Sequence, residues 1–448
     1  MTFRNFTVGG NYRKGSAEPA FKLQNDSYTE LSGNIIGAED LPINNGIVLA
    51  NSDHTLIRNN TIQGSTLFTF TPVLTIGKDV TGFGVVTAEC LGTTNVNVSD
   101  AVTITNNLFT NLWVAAVWLC SDGAGEHEIR DNVFRNNWRG ITLREVTDSR
   151  IIGNTLVDNR SDGIIVYGAA LRNRIESNRV ESHVAPSAAA IRIGWVADPI
   201  APLDNRIEGN QLIRDTVAVH VFGARTTQIR NNEIKISGSR TAILLTTATV
   251  PGDPATQPRD TEITGNILVF TGPCAAPIGC AIRLSGVTAP VLATDNDWGL
   301  RRTADVEGVV WHNRDEEGLG LVTFTPFRNQ QPEPTPAAGT TVITGGPPPG
   351  VPPFAPLPTP TPVSPEFPPA PPFFSSPTPT PTPVSALPMT GITFPTSPTL
   401  AGAGNGSFVT VSLSQGCSYV SWPGATDVSV VDAVQGILPS TARSGAVV

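Results

Sequence analysis

Arg192 and His220 are the two neighbouring residues of this 448-residue chain that come nearest to a base and its helper. Each occupies the third place of a short segment, Ala190-Ile-Arg-Ile193 and Ala218-Val-His-Val221. Such a segment alternates apolar and polar like a half-buried strand, so its third residue points away from the core. The pattern recurs as Gly46-Ile-Val-Leu49, Ala116-Val-Trp-Leu119, Gly140-Ile-Thr-Leu143, Gly163-Ile-Ile-Val166, Ala242-Ile-Leu-Leu245 and Ala281-Ile-Arg-Leu284. It predicts an outward column Val48, Trp118, Thr142, Ile165, Arg192, His220, Leu244, Arg283. The next outward column is Ala50, Cys120, Arg144, Tyr167, Gly194, Phe222, Thr246, Ser285, with Trp195 close by. Aromatic faces stack on sugar rings, and arginine pairs with carboxylates or hydroxyls. Trp118, Arg144, Tyr167, Arg192, Trp195, His220 and Arg283 are therefore the candidate carbohydrate-binding residues. The loops 196–205 and 246–260 are expected to cover this face or wall it into a groove.

The elements that position these side chains follow from a second repeat, apolar-x-x-Asn-x-apolar. It places Asn34, Asn60, Asn107, Asn132, Asn154, Asn178, Asn210, Asn232, Asn266 and Asn296 in one register. The spacings have a floor of about 22 residues, a unit too short and too rich in Asn and Gly for helical repeats. The interval of 47 between Asn60 and Asn107 reads as two units with one degenerate copy. Each unit cannot bury its apolar face alone, but stacking does so. The expectation is an all-β parallel solenoid of ten to twelve rungs over residues 1–327. At each turn the asparagine is expected to adopt αL and to bond its counterparts one rung away.

These units resemble the right-handed parallel β-helix repeat of the pectate-lyase-like superfamily, in its bacterial exported group. Asp295-Asn-Asp-Trp-Gly299, Val309-Val-Trp-His312 and Leu319-Gly-Leu-Val-Thr-Phe-Thr-Pro-Phe327 resemble the segment that closes such solenoids. The resemblance covers residues 1–327 and implies a fold more than an activity, because its members include lyases, hydrolases, epimerases, tailspikes, adhesins and accessory proteins. The hydrolase motifs Asn-Thr-Asp, Asp-Asp, Gly-His-Gly and Arg-Ile-Lys, and the epimerase motif Asp-Pro-His-Asp, are absent from the sequence. No carboxylate cluster suited to calcium and no His/Cys spacing suited to zinc is visible.

Composition sets the remaining bounds. The net charge of −9 argues against a nucleic-acid partner. No apolar run reaches the length of a membrane span. Residues 328–400 are rich in Pro and Thr and read as a disordered or extended linker. Residues 401–448 read as a short β-type segment. Cys274 with Cys280, and Cys90 with Cys120, are expected to form disulfides, which with the unpaired Cys417 suit an oxidising compartment. The N-terminus shows no signal-peptide pattern. The expected protein is a secreted or surface-displayed monomer that binds polysaccharide or a cell-envelope glycan and needs no cofactor. The alternatives are a polysaccharide lyase or glycoside hydrolase using the face around Arg144, Arg192 and His220, with calcium implied only for a lyase, and a purely structural stalk.

Overall fold

A computed structural model describes residues 1–332, apart from 10–18, 39–42, 44, 65–81, 92–97, 122–124, 184, 186–187, 196–199, 238–239, 249–256, 272–273 and 275–278. Apart from residues 328–332, the expected linker 328–400 lies outside the described residues, as does the C-terminal segment 401–448. Among the described residues three parallel sheets of 12, 10 and 11 strands run side by side, and each strand pairs with its equivalent one rung away. A single rung reads Glu128–Arg130 in the first sheet, Val133–Arg135 in the second and Ile141–Arg144 in the third. Twelve rungs at the inter-strand spacing make a stack of roughly 55 Å.

The interior is built from like on like. Ile57, Ile104, Ile129, Ile151, Ile175, Ile207, Ile229 and Ile263 stack along the first sheet and are fully buried. Phe109 and Phe134 stack in the second, with ring centroids 4.8 Å apart and planes 7° apart. The small residue that opens each third-sheet segment is a packing requirement. A Cβ on Gly140 would stand 2.5 Å from both the Gly163 carbonyl oxygen and a Leu156 methyl.

The corners hold this stack together. Asn132 Nδ2 donates to Asn154 Oδ1 at 3.0 Å, and Asn154 Nδ2 to Asn178 Oδ1 at 3.0 Å. Each Oδ1 also accepts a backbone N–H, as from Asn132 to Asn154 and from Asn154 to Asn178. Each Nδ2 donates further to a main-chain carbonyl one rung back. The series runs unbroken from Asn34 to Asn296. Two expectations are corrected here. Asn60 bonds directly to Asn107 at 3.0 Å, and their strands pair, so the interval of 47 residues is one rung with insertions. The left-handed residue is the one before each ladder asparagine: Gly33, Asn59, Asn106, Asp131, Gly153, Ser177, Gly209, Asn231, Gly265 and Asp295 all have positive φ. That residue turns the chain, which aims the following amide inward along the stack.

The other two corners repeat this device with different side chains. Asn137, Asn159, His183 and Asp215 follow the left-handed Asn136, Asp158, Ser182 and Arg214. Asn137 Nδ2 donates to Asn159 Oδ1, and Asn159 Nδ2 donates to His183 Nε2 at 3.2 Å. His183 Nδ1–H must then donate to Asp215 Oδ1, at 2.9 Å. At the third corner the backbone N–H groups of Val102, His127, Ser149 and Asn173 donate to His127, Ser149, Asn173 and Asn205 in turn.

Truncating a ladder amide leaves buried donors and acceptors unmatched. Asn154→Ala and Asn178→Ala are each expected to cost about 2 kcal/mol in chemical denaturation, while Arg179→Ala, on an exposed side chain, changes little.

His127 gives a pH signature. Burial holds its pKa down to about 4 from an ordinary 6.5. Between those values the unfolded chain binds the proton and the folded chain does not, so stability is present above pH 6.5 and is lost as pH falls towards 4. The shift corresponds to about 3 kcal/mol at its acid limit. His127→Asn, matching Asn173 and Asn205 at the same corner, is expected to flatten part of the wild-type decline in urea midpoint over that window. An unchanged pH profile would contradict the assignment.

Candidate functional site

The outer face of the third sheet is where charged and aromatic side chains converge. Strand register aligns Trp118, Thr142, Ile165, Arg192, His220, Leu244 and Arg283 in one column. Cys120, Arg144 and Tyr167 align beside them, as do Phe222, Thr246 and Ser285. The first column is not the open surface that alternation predicts. Thr142 and Ile165 are buried, and Arg192 and His220 are only 7% and 8% exposed. It forms a floor, while Arg144, Tyr167, Phe222 and Thr246 in the second column, with Trp195, stand half-exposed along its edge. The insertions expected to wall the face fall partly outside the described residues, at 196–199 and 249–256.

Trp118, one of the expected carbohydrate-binding residues, is partly buried. It packs on Phe83, with centroids 5.4 Å apart, in a second apolar cluster with Val48, Val86, Ala115 and the Cys90–Cys120 pair. Its indole Nε1 is buried without a hydrogen-bond partner. A one-turn 3-10 helix at Ala88–Leu91 carries Cys90 over this end of the sheet, beside the partly buried Trp118. Cys274 and Cys280 are also joined, with Cα atoms 4.5 Å apart. Cys417 lies outside the described residues.

The middle of the face holds a continuous polar chain. Asp162, at the corner entering the strand Ile164–Tyr167, accepts through Oδ1 from Arg192 Nε at 3.0 Å and Nη2 at 2.8 Å. The same oxygen accepts the Ala189 N–H at 2.8 Å. Arg192 Nη1 meets His220 Nδ1 at 2.7 Å, and His220 Nε2 meets Thr246 Oγ1 at 3.0 Å. Arginine can only donate, so His220 Nδ1 is the acceptor and Nε2 carries the proton that goes to Thr246. Burial, aided by the adjacent Arg192 charge, holds the His220 pKa down to about 3.

Above this chain the aromatic side chains gather. The Trp195 ring lies 6.3 Å from that of Tyr167, and two guanidiniums face it: Arg192 at 5.5 Å and Arg139 at 5.3 Å. Phe222 meets His220 edge-on at 5.4 Å. Arg144 is turned aside onto Glu145. Arg283 lies further along the column, half-buried, with its Nε unpartnered. Arg139, Asp162 and Thr246 therefore join Arg192, Trp195, Tyr167 and His220 in one cluster.

The exterior of the first sheet differs in kind. It carries surface ion pairs such as Arg4–Glu30–Arg58 and Arg150–Glu176, which are satisfied within the face and contribute little.

A family model described as periplasmic copper-binding protein (NosD) matches residues 76–198, a stretch that holds Arg139, Asp162, Arg192 and Trp195. The match spans about a quarter of the chain, and the three parallel sheets show the fold, a right-handed parallel β-helix. Solved structures similar to it include the Dettilon tailspike protein, at 14% identity and TM-score 0.43, covering 72% of this chain and 61% of that one. The periplasmic alginate epimerase AlgG is similar at 12% identity and TM-score 0.37, covering 60% and 74%. A tailspike mutant of E. coli bacteriophage HK620, in complex with pentasaccharide, matches at 11% identity and TM-score 0.45, covering 71% and 57%. The β-helix thus spans less than two thirds of either tailspike. No curated protein matches the chain.

In this β-helix Asp162 is the counter-charge for a buried guanidinium. Asp162→Ala leaves Arg192 uncompensated and is expected to cost about 3 to 5 kcal/mol, read as a fall in urea midpoint. Asp162→Asn, which keeps an acceptor for the Ala189 N–H, should cost less.

Proposed function

We propose that this β-helix is an exported protein that binds a polysaccharide lengthwise along the outer face of its third sheet, without turning it over. The observation that carries the reading is the buried Asp162–Arg192–His220–Thr246 chain beneath the half-exposed Tyr167 and Trp195. A polar network fixed at this depth holds cations and rings in place before a ligand arrives, and pre-organisation is what a binding face needs. Equivalent side chains repeat at about 4.8 Å, close to the step of a sugar unit, so a linear glycan meets one or two of them per ring. Each contact is weak, and affinity comes from several in series. The two disulfides support an oxidising compartment, outside the cytosol. No helix among the described residues is long and apolar enough to cross a membrane.

The hydrolase or lyase reading is weaker on the same geometry. His220 has both ring nitrogens engaged and a pKa near 3, so it is a poor base at neutral pH. Arg192 is spent on Asp162 and His220. Copper binding, the property named in the matching family description, does not fit the described residues either. No group of three His, Cys, Asp or Glu among them is placed to hold a metal ion. The four cysteines at 90, 120, 274 and 280 are disulfide-bonded, and His183, like His220, has both nitrogens occupied.

Affinity electrophoresis and calorimetry of the full chain against a panel of acidic and neutral polysaccharides test the reading. Binding in the micromolar to millimolar range is expected. Tyr167→Ala and Trp195→Ala should each weaken it by on the order of 1 kcal/mol, and the pair by more. Product release that disappears in His220→Ala would instead establish an enzyme. Absence of binding to every polymer on folded protein would leave a structural stalk as the better account.

A further inference from the structure

The cluster holds one more positive charge than its own carboxylate answers. Arg139 and Arg192 both face Trp195, and Asp162 is the acid between them. His220 is neutral. Asp162 Oδ1 already accepts from three donors, and its Oδ2 takes the Ser161 hydroxyl at 3.4 Å. The Gly140 N–H donates to the Asp162 carbonyl, which puts Arg139 at the equivalent corner position one rung before Asp162. Yet Arg139 makes no ion pair with Asp162 or with any other described side chain, and its Nε is buried without a hydrogen-bond partner. The residue as a whole is only partly buried.

We infer that Arg139, backed by the Trp195 ring, seats an anionic group of the bound polysaccharide, either a carboxylate or a sulfate ester. This rests on the reading of the third-sheet face as a glycan site and names the class of glycan. A guanidinium in a partly desolvated place, unpaired, is costly, and arginine stays protonated there. Burial works most strongly against its charged form; the nearby Asp162 and Tyr167 offset this only in part, and the Arg192 charge adds to it. A planar two-oxygen anion remedies this directly, because it takes parallel hydrogen bonds from the guanidinium fork. The indole beneath holds that fork flat and offers its own face to the adjoining sugar ring. Arg144, the other cation nearby, is already paired with Glu145 and does not compete.

The test uses the full chain and its Arg139→Gln and Arg139→Lys variants. Polygalacturonate, dextran sulfate and unmodified dextran are titrated calorimetrically at two salt concentrations. At least one of the two acidic polymers should bind tenfold or more tightly than dextran, and which one identifies the anion as carboxylate or sulfate. Arg139→Gln should abolish that preference while keeping the weaker neutral binding, and Arg139→Lys should restore it only in part. A second readout needs no polymer: because the cation is unpaired, Arg139→Gln should leave the thermal midpoint unchanged or raise it. A lowered midpoint, or an acidic preference that survives in Arg139→Gln, overturns the inference while the glycan-binding reading stands. Equal binding of acidic and neutral polymers by the wild type does the same. Wild-type protein that binds no polymer sinks both.

Discussion

Every rung of this protein depends on one constraint: at each corner, buried amides must find their partners on the next rung. A chain that turns three times within about 22 residues leaves N–H and C=O groups pointing along the stack, where no strand ladder reaches them. Asn132 and its equivalents meet this by accepting from one rung and donating to another, so no rung satisfies its corners alone. Buried polar groups left unmatched cost more than matched ones contribute, so the ladder dictates register as much as stability. Shifting one rung by a residue would break three corner series together.

The same constraint makes the outer faces regular. Once the corners are locked, third-sheet residues at equivalent positions stand one inter-strand spacing apart. A column of side chains then becomes a surface with a fixed step. Along most of that surface the protein fills the column with Val, Thr, Ile and Leu. At two successive rungs it places Arg192 and His220, and it compensates them from a corner one rung away with Asp162. Burial of this chain, and not its exposure, allows a charged group to be held at a defined point beneath Tyr167 and Trp195.

Much of this was legible in the residues themselves. The spacing of ten asparagines marked the first corner, and period-two alternation placed Arg192 beside His220 and Arg144 beside Tyr167. The other two corners were not legible, because one role is shared among unlike side chains. Asn159, His183 and Asp215 hold successive places in one ladder, as do His127, Ser149 and Asn173, so no single letter marks the register. Alternation also misjudged exposure. It separates core from exterior but is blind to whatever folds back over the exterior, such as the 3-10 helix that the Cys90–Cys120 cross-link ties down beside Trp118. Arg139 escaped notice since it sits at a corner, where neither repeat assigns a direction. Only the unmatched charge beside Trp195 brings it forward.

The central claim is that the Asp162–Arg192–His220 chain is the rigid floor of a glycan-binding face. The most direct measurement is a crystal structure of the full chain with an acidic hexasaccharide. The account predicts sugar rings along the third sheet, one against Tyr167 and Trp195, with Arg192 still held by Asp162 and His220. A saccharide bound on the first or second sheet, or one that draws Arg192 away from Asp162, would contradict it.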